Sequence, residues 1–140
     1  MIEFTIPIVP RSVQHGKRVA TKSRGRRLAK PRFFNDEDKE AYYKEVALLA
    51  SPYRPREPLD GPLSMIVRFV FPRLKKHKGP GREYHSARPD TSNLVKGFED
   101  ALRGQGFFND DAQFCHCEST KFYAASGEEA HIYCVMRKVL

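Results

Sequence analysis

The sequence has no long hydrophobic run, and its cysteines are few. No apolar segment approaches the roughly 18 residues that a membrane-spanning helix needs. The N-terminal segment carries Glu3 and lacks the basic-then-apolar order of a signal peptide. The three cysteines, Cys115, Cys117 and Cys134, are an odd number without the spacing of a disulfide framework. These absences predict a cytoplasmic protein in a reducing compartment, without a membrane partner.

Motifs of several common enzyme classes are also missing. No glycine pattern matches a P-loop or a dinucleotide fingerprint, so we expect no nucleotide cofactor. No serine lies in the surroundings of a nucleophile elbow. The Cys115-His116-Cys117 spacing is too short for common zinc fingers, which separate paired cysteines by two residues or more. Strand packing is the better interpretation of these cysteines.

Acidic residues are absent from residues 11–32, a segment that holds nine lysines and arginines. Residues 73–82 hold five more, within a second predicted basic loop over 73–87. With a net charge of +8 and a pI of about 9.6, these blocks predict a polyanionic partner, either nucleic acid or an acidic membrane surface. The residues we expect to contact phosphate groups of the partner, which would be the DNA-binding residues if that partner is DNA, are Arg11, Lys17, Arg18, Lys22, Arg24, Arg26, Arg27, Lys30, Arg32, Lys75, Lys76 and Lys78.

The length and the hydrophobic periodicity predict one α+β or mixed α/β domain over residues 1–140, with a small mixed sheet and two main helices. Period-two alternation predicts strands over 2–9 and 63–71, and the prolines in the first favour an edge position. Helical spacing predicts helices from residue 35 or 36 to about 50 and from 92 to 103. The segments 114–124 and 130–139 look like an antiparallel strand pair.

The segment 88–113 carries the strongest chemical signal. Asp90 and Asp111 lie 21 residues apart, each just outside the predicted second helix, which could bring both to one place. Clustered carboxylates in a strongly basic protein favour a divalent metal that acts on a phosphodiester. Such a metal can activate water and neutralise the leaving oxygen. Lys96, on the polar face of this helix, can add positive charge at the phosphate.

Each of these residues also has an ordinary structural interpretation. Asp90 directly before a helix can be an N-terminal cap. Lys96 and Asp100 are spaced as a common surface pair on a helix. Asn93 can bond to a metal-bound water or cap the helix. The combination of these residues with the basic segments favours the catalytic interpretation.

Residues of this segment resemble the signature of the RusA family of Holliday-junction resolvases, whose pattern is roughly Pro-Asp-x-Asp-Asn-Leu-x-Lys, then Asp-Ala-Leu, then Asp-Asp. The matching residues are Pro89-Asp90, Asn93-Leu94, Lys96, Asp100-Ala101-Leu102 and Asp110-Asp111. The resemblance implies a homodimeric Mg²⁺-dependent endonuclease, with Mn²⁺ as a substitute metal, that cuts four-way DNA junctions symmetrically. It also implies a phage or prophage origin and a bacterial host cytoplasm.

By position in the motif, the resemblance implies that Asp90 and Asp111 are metal ligands and that Lys96 is the catalytic lysine. One position departs from the pattern, because Ser92 stands where the family commonly has its second acid. A serine hydroxyl can ligate a metal or hold a bound water but carries no charge. Asp110 or Asp100 could compensate, so we count Asp110 and Ser92 with the metal site and Asn93 and Asp100 as support.

Two other functions stay open, and Ser92 is the mark of the first. One alternative is a protein that binds four-way junctions and has lost cleavage. A more distant one is a general basic nucleic-acid chaperone, which would not prefer four-way junctions over linear duplex at equal salt.

Overall fold

The apolar periodicity of the chain is realised as a five-stranded sheet and two helices. The computed structural model describes residues 1–12, 22–23, 26–27 and 36–139. The elements are β1 (Ile2–Ile6), β2 (Lys22–Ser23), β3 (Arg26–Arg27), α1 (Asp36–Ala50), β4 (Leu63–Phe71), β5 (Glu83–Tyr84), α2 (Thr91–Gly104), β6 (Phe114–Tyr123) and β7 (His131–Lys138). Short 3-10 turns at Ser51–Tyr53 and Asp111–Gln113 follow α1 and precede β6.

The main sheet has the strand order β1-β7-β4-β6-β5. The central strand β4 is parallel to β6 on one side and antiparallel to β7 on the other. The sheet is therefore mixed, and the α+β class with two helices agrees with the sequence-based prediction. The strand β1 lies at the edge, as its prolines predicted.

The predicted pairing of the last two strands was wrong. The segments do form β6 and β7, but each pairs with β4 and not with the other. The long apolar strand β4 is buried along most of its length, and it gains a hydrogen-bonded neighbour on both sides by lying between them. The turn through Ser126 and Gly127 thus crosses over the end of β4 and is no tight hairpin.

The core lies between one face of the sheet and the two helices. Phe69 of β4 packs edge to face on Phe98 of α2, with 6.2 Å between the ring centroids, and Phe98 also contacts Phe4 of β1. From α1, Tyr42 and Val46 enter the same cluster. The predicted apolar stripe of α2 is thus the face that packs on the sheet, and its polar face points away from the core.

Much of the first basic segment lies outside the described residues, including Lys17, Arg18, Arg24, Lys30 and Arg32. Within it, the predicted loop contains a short antiparallel pairing of β2 with β3. Among the helices that the structure describes, none is long and apolar enough to cross a membrane.

Candidate active site

Asp90 occupies the position just before α2, but its side chain does not cap the helix. Its backbone is extended, and its carbonyl accepts the first helical hydrogen bond from the Leu94 amide at 3.1 Å. The carboxylate is exposed and accepts no capping hydrogen bond. The capping interpretation therefore does not explain this aspartate. Ser92 and Asn93 follow in the first turn of the helix, with Ser92 exposed and Asn93 partly buried.

Asp111 lies against the polar face of α2 and contacts two cations there. One carboxylate oxygen of Asp111 is 3.7 Å from Lys96 Nζ, and the other is 3.7 Å from a guanidinium nitrogen of Arg103. These separations exceed hydrogen-bond lengths, so the contacts are electrostatic. About a third of the Asp111 side chain is exposed, which leaves it open to a ligand.

The turn that carries Asp111 is built by its neighbours. The Asp110 carboxylate accepts a hydrogen bond from the Ala112 amide at 2.9 Å, and Gln113 Oε1 accepts one from the Asp110 amide at 2.8 Å. The Gln113 side chain also donates to the carbonyls of Leu59 and Gly61, each at 3.0 Å. The hydrogen bond from the Ala112 amide lowers the pKa of Asp110. Asp110 thus caps the short turn that begins at Asp111 and holds Asp111 in place.

Asp100 completes a network of two carboxylates and two cations. Its Oδ1 atom is 3.8 Å from Lys96 Nζ and 3.6 Å from Arg103, and the Tyr43 hydroxyl donates to Oδ2 at 3.4 Å. Oδ1 is buried and has no hydrogen-bond donor among the described residues. Burial and the Asp100 charge together raise the pKa of Tyr43 to about 12, so the phenol stays a donor. Asp100 is therefore anchored from α1 and keeps one oxygen for a cation.

Sequence reasoning missed Glu99 as a member of this site. Burial, reinforced by the Asp111 charge, raises the pKa of Glu99 to about 7, and Lys96 opposes the shift. Burial raises the pKa of Cys117 on β6, and the charge of Glu99 contributes to the same shift. Its position three residues after Lys96, on the same helical face, was the available signal.

The structure brings some predicted site residues together and keeps others apart. Lys96, Asp100 and Asp111 form one cluster, joined by Arg103. Contacts among the described residues do not join Asp90 to this cluster. Asp90 lies before the first turn of α2, and the helix rises by about 9 Å between Asp90 and Lys96.

The donor chemistry of the site suits Mg²⁺ better than a softer metal. In the part of the chain that the structure describes, no group of three or more Asp, Glu, His or Cys could enclose a metal ion. Mg²⁺ does not require such a cage, because it commonly takes one or two carboxylates and completes its shell with water and substrate phosphates. The exposed Asp90 carboxylate and the partly exposed Asp111 carboxylate fit this kind of binding.

The second basic segment divides into anchored arginines and exposed lysines. Arg82 forms a two-pronged ion pair with Glu128, and this pair lowers the pKa of Glu128 to about 2. Arg73 donates to the backbone carbonyls of Gly79, Gly81 and Ala124. The three lysines predicted to contact DNA are all exposed: Lys75, Lys76 and Lys78.

The first basic segment joins the described fold through Arg11. The Arg11 amide donates to the Tyr42 hydroxyl at 3.3 Å, which ties this residue to α1. For Lys22, Arg26 and Arg27 the structure describes the backbone pairing alone. The DNA contacts predicted for this segment stay predictions.

The chain is similar to known proteins along most of its length. A family model described as "Endodeoxyribonuclease RusA" matches residues 8–133, which is nearly the whole chain. The chain is also similar to "Uncharacterized protein YqaN" of Bacillus subtilis (strain 168), with 35% identity over 114 residues that cover 74% of this chain and 78% of that protein. The matching family is one of endodeoxyribonucleases. The chain belongs to the RusA family, and membership implies nuclease activity of the Holliday-junction resolvase type.

Proposed function

We propose that this protein is a Mg²⁺-dependent endonuclease that resolves four-way DNA junctions by paired symmetric nicks. The observation that carries the proposal is the contact between Lys96 and Asp111, the two residues to which the sequence motif assigns the family's lysine and its last acid. A cation and a carboxylate 3.7 Å apart on a partly exposed surface suit the binding of a phosphate together with a metal ion.

Each residue then has a specific task. Asp90 and Asp111 would hold Mg²⁺, which supplies an activated water and charge neutralisation at the scissile phosphate when it is bound. Lys96 would place its ammonium against the phosphate as negative charge develops there. Asp100 holds Lys96 from the next turn of the helix, and Tyr43 holds Asp100. Glu99 is close enough to Asp111 to feel its charge, and with a pKa of about 7 it is only partly ionised near neutral pH.

Affinity for DNA would come from the basic segments. The exposed lysines 75, 76 and 78 lie between β4 and β5, in the stretch of chain that precedes α2. Contacts to phosphates position a protein on DNA and make its binding depend on salt. Two symmetric cuts in a two-fold junction require two sites related by the same symmetry, so we propose a homodimer. A bacterial cytoplasm, with a phage or prophage gene, is the proposed setting.

A cleavage assay on a labelled four-way junction tests the proposal, with Mg²⁺ or EDTA and with linear duplex as the control substrate. We expect paired nicks with Mg²⁺ on the junction alone. The matched variant Asp111→Asn should bind the junction and not cut it. Tight binding without nicks, with Mn²⁺ tried as well, would support the cleavage-deficient binder, and Ser92→Asp would then be the variant to test for restored cutting. Equal affinity for duplex and junction would support the basic chaperone.

A further inference from the structure

The side chain of Lys121 spans from the sheet to the segment that carries Asp90. Lys121 lies on β6 and pairs with Phe69 of the central strand. Its ammonium donates to the Ala87 carbonyl at 2.5 Å and to the Pro89 carbonyl at 2.7 Å. Hydrogen bonds from a charged donor are shorter and stronger than neutral ones.

These two bonds act on the backbone immediately before the site. The Pro89 carbonyl belongs to the peptide group that ends at the Asp90 nitrogen. The backbone of Lys121 holds the same segment further back, because its carbonyl accepts a hydrogen bond from the His85 amide at 3.1 Å. The His85 ring is in turn packed on Phe71 and stacked on Tyr123.

We infer that Lys121 is a positioning residue that fixes the Asp90 carboxylate for metal binding by clamping the carbonyls of residues 87 and 89. The inference rests on the proposed function of Asp90. The Asp90 side chain makes no capping hydrogen bond, so the position of Asp90 depends on the backbone that precedes it. The Lys121 ammonium forms a hydrogen bond to this backbone at Pro89, the residue next to Asp90. Loss of the ammonium would leave two carbonyls without their donor and release the segment.

The test compares Lys121→Met with Lys138→Met. Lys138 is a matched control, because it also lies in the sheet and its ammonium also bonds within the fold, to Asp60 at 2.7 Å. Both variants are measured for thermal unfolding, junction affinity, single-turnover cleavage against Mg²⁺ concentration, and Mn²⁺ affinity by electron paramagnetic resonance. We expect Lys121→Met to keep its fold and its junction affinity, to need several-fold more Mg²⁺ for half-maximal cleavage, and to bind Mn²⁺ several-fold more weakly. Lys138→Met should match the wild type.

Combining each variant with Asp90→Asn tests whether Lys121 acts through Asp90. The two losses of Mn²⁺ affinity should be strongly non-additive, because removal of Asp90 leaves Lys121 nothing to position. Additive losses would overturn the inference, as would unchanged Mg²⁺ and Mn²⁺ dependence in Lys121→Met. A fall in junction affinity as large as the fall in rate would instead make Lys121 a phosphate contact. If Lys121→Met does not fold, Lys121→Gln is measured in its place with the same readouts.

The failure of the proposed function would look different. A wild-type protein that binds Mn²⁺ but cuts no junction would contradict the nuclease proposal, and the Mn²⁺ titrations would still test Lys121. If the wild type cuts junctions and Lys121→Met has unchanged Mg²⁺ and Mn²⁺ dependence, the inference about Lys121 is overturned and the proposed function stands. Absence of any Mn²⁺ binding by the wild type would overturn both.

Discussion

The ammonium of Lys96 lies 3.7 Å from Asp111, although the two residues belong to different elements. Lys96 is on α2, and Asp111 begins the short turn that precedes β6. The close approach exists because Gln113 ties this turn to the segment before β4 while α2 packs its apolar face on the same sheet. The charged site therefore depends on the core packing and on the hydrogen bonds that the side-chain amide of Gln113 donates.

Replacement of Lys96 tests the catalytic role proposed for it. We expect Lys96→Ala to lower the single-turnover cleavage rate by about 100-fold, because removal of one preorganised positive group at a transition state commonly costs that much. Junction affinity should fall by only a few-fold. Lys44→Ala, an exposed lysine on α1, is the control. Equal losses of rate and affinity in Lys96→Ala would show that this lysine only binds DNA.

Under the proposed function, Arg103 would compete with a metal ion for the two carboxylates that it contacts. Its guanidinium lies 3.6 Å from Asp100 and 3.7 Å from Asp111. An exposed ion pair contributes up to about 1 kcal/mol, so Arg103→Met should lower the half-saturating Mg²⁺ concentration by up to about fivefold. The exposed Arg137 of β7 provides the control variant, Arg137→Met. A higher Mg²⁺ requirement in Arg103→Met would mean that Arg103 instead holds Asp111 in place.

Glu99 should make the stability of the protein depend on pH. Burial raises its pKa from 4.5 to about 7, so the folded state binds a proton that the unfolded state releases. The contribution of Glu99 to stability is therefore largest at low pH and is lost as the pH rises from 4.5 through about 7. Because solvent screens this partly exposed group, we expect a loss of about 1 kcal/mol.

Urea unfolding of the wild type and Glu99→Gln at several pH values measures this effect. The difference in unfolding free energy between the two proteins should shift in favour of the glutamine variant as the pH rises over that interval. Glu40→Gln, an exposed carboxylate on α1, should show no such shift. A constant difference between wild type and Glu99→Gln would mean that Glu99 titrates alike in the folded and unfolded states.

The exposed lysines of the second basic segment should set the salt dependence of DNA binding. Each of Lys75→Gln, Lys76→Gln and Lys78→Gln should reduce the slope of log affinity against log salt concentration by about 1, and the triple variant by about 3. Lys44→Gln removes the same charge from α1 and should leave the slope unchanged. An unaltered slope in the triple variant would place the DNA on another surface.

The elements and the core face were largely predictable from the sequence, whereas strand pairing was not. The alternation of Leu63 to Phe71 and the helical stripe through Leu94 and Phe98 are local patterns, and both elements formed within a residue or two of the predicted bounds. Which strands are neighbours depends on contacts distant in sequence. The short connection between β6 and β7 suggested a hairpin, and no local sequence pattern indicates that β4 lies between them.

The site was predictable to a similar extent. Motif spacing singled out Lys96 and Asp111, which the structure places in contact. Glu99 and Arg103 have the spacing of ordinary surface charges on a helix, and only the burial of Glu99 and the ion pair of Arg103 with Asp111 distinguish them. The hydrogen bonds of Lys121 join a strand to a loop that is distant in sequence, and no local pattern predicts such bonds.

The pairing of β1 with β7 has a consequence for the order of assembly. The first strand of the sheet bonds along its length to the last, from Ile2 opposite Met136 to Ile6 opposite Ile132. During synthesis on a ribosome, β1 therefore has no sheet partner until β7 has emerged. Closure of such long-range pairs slows folding relative to proteins with mainly local contacts. The newly made chain must keep the apolar residues of β1 out of other associations until β7 has been made.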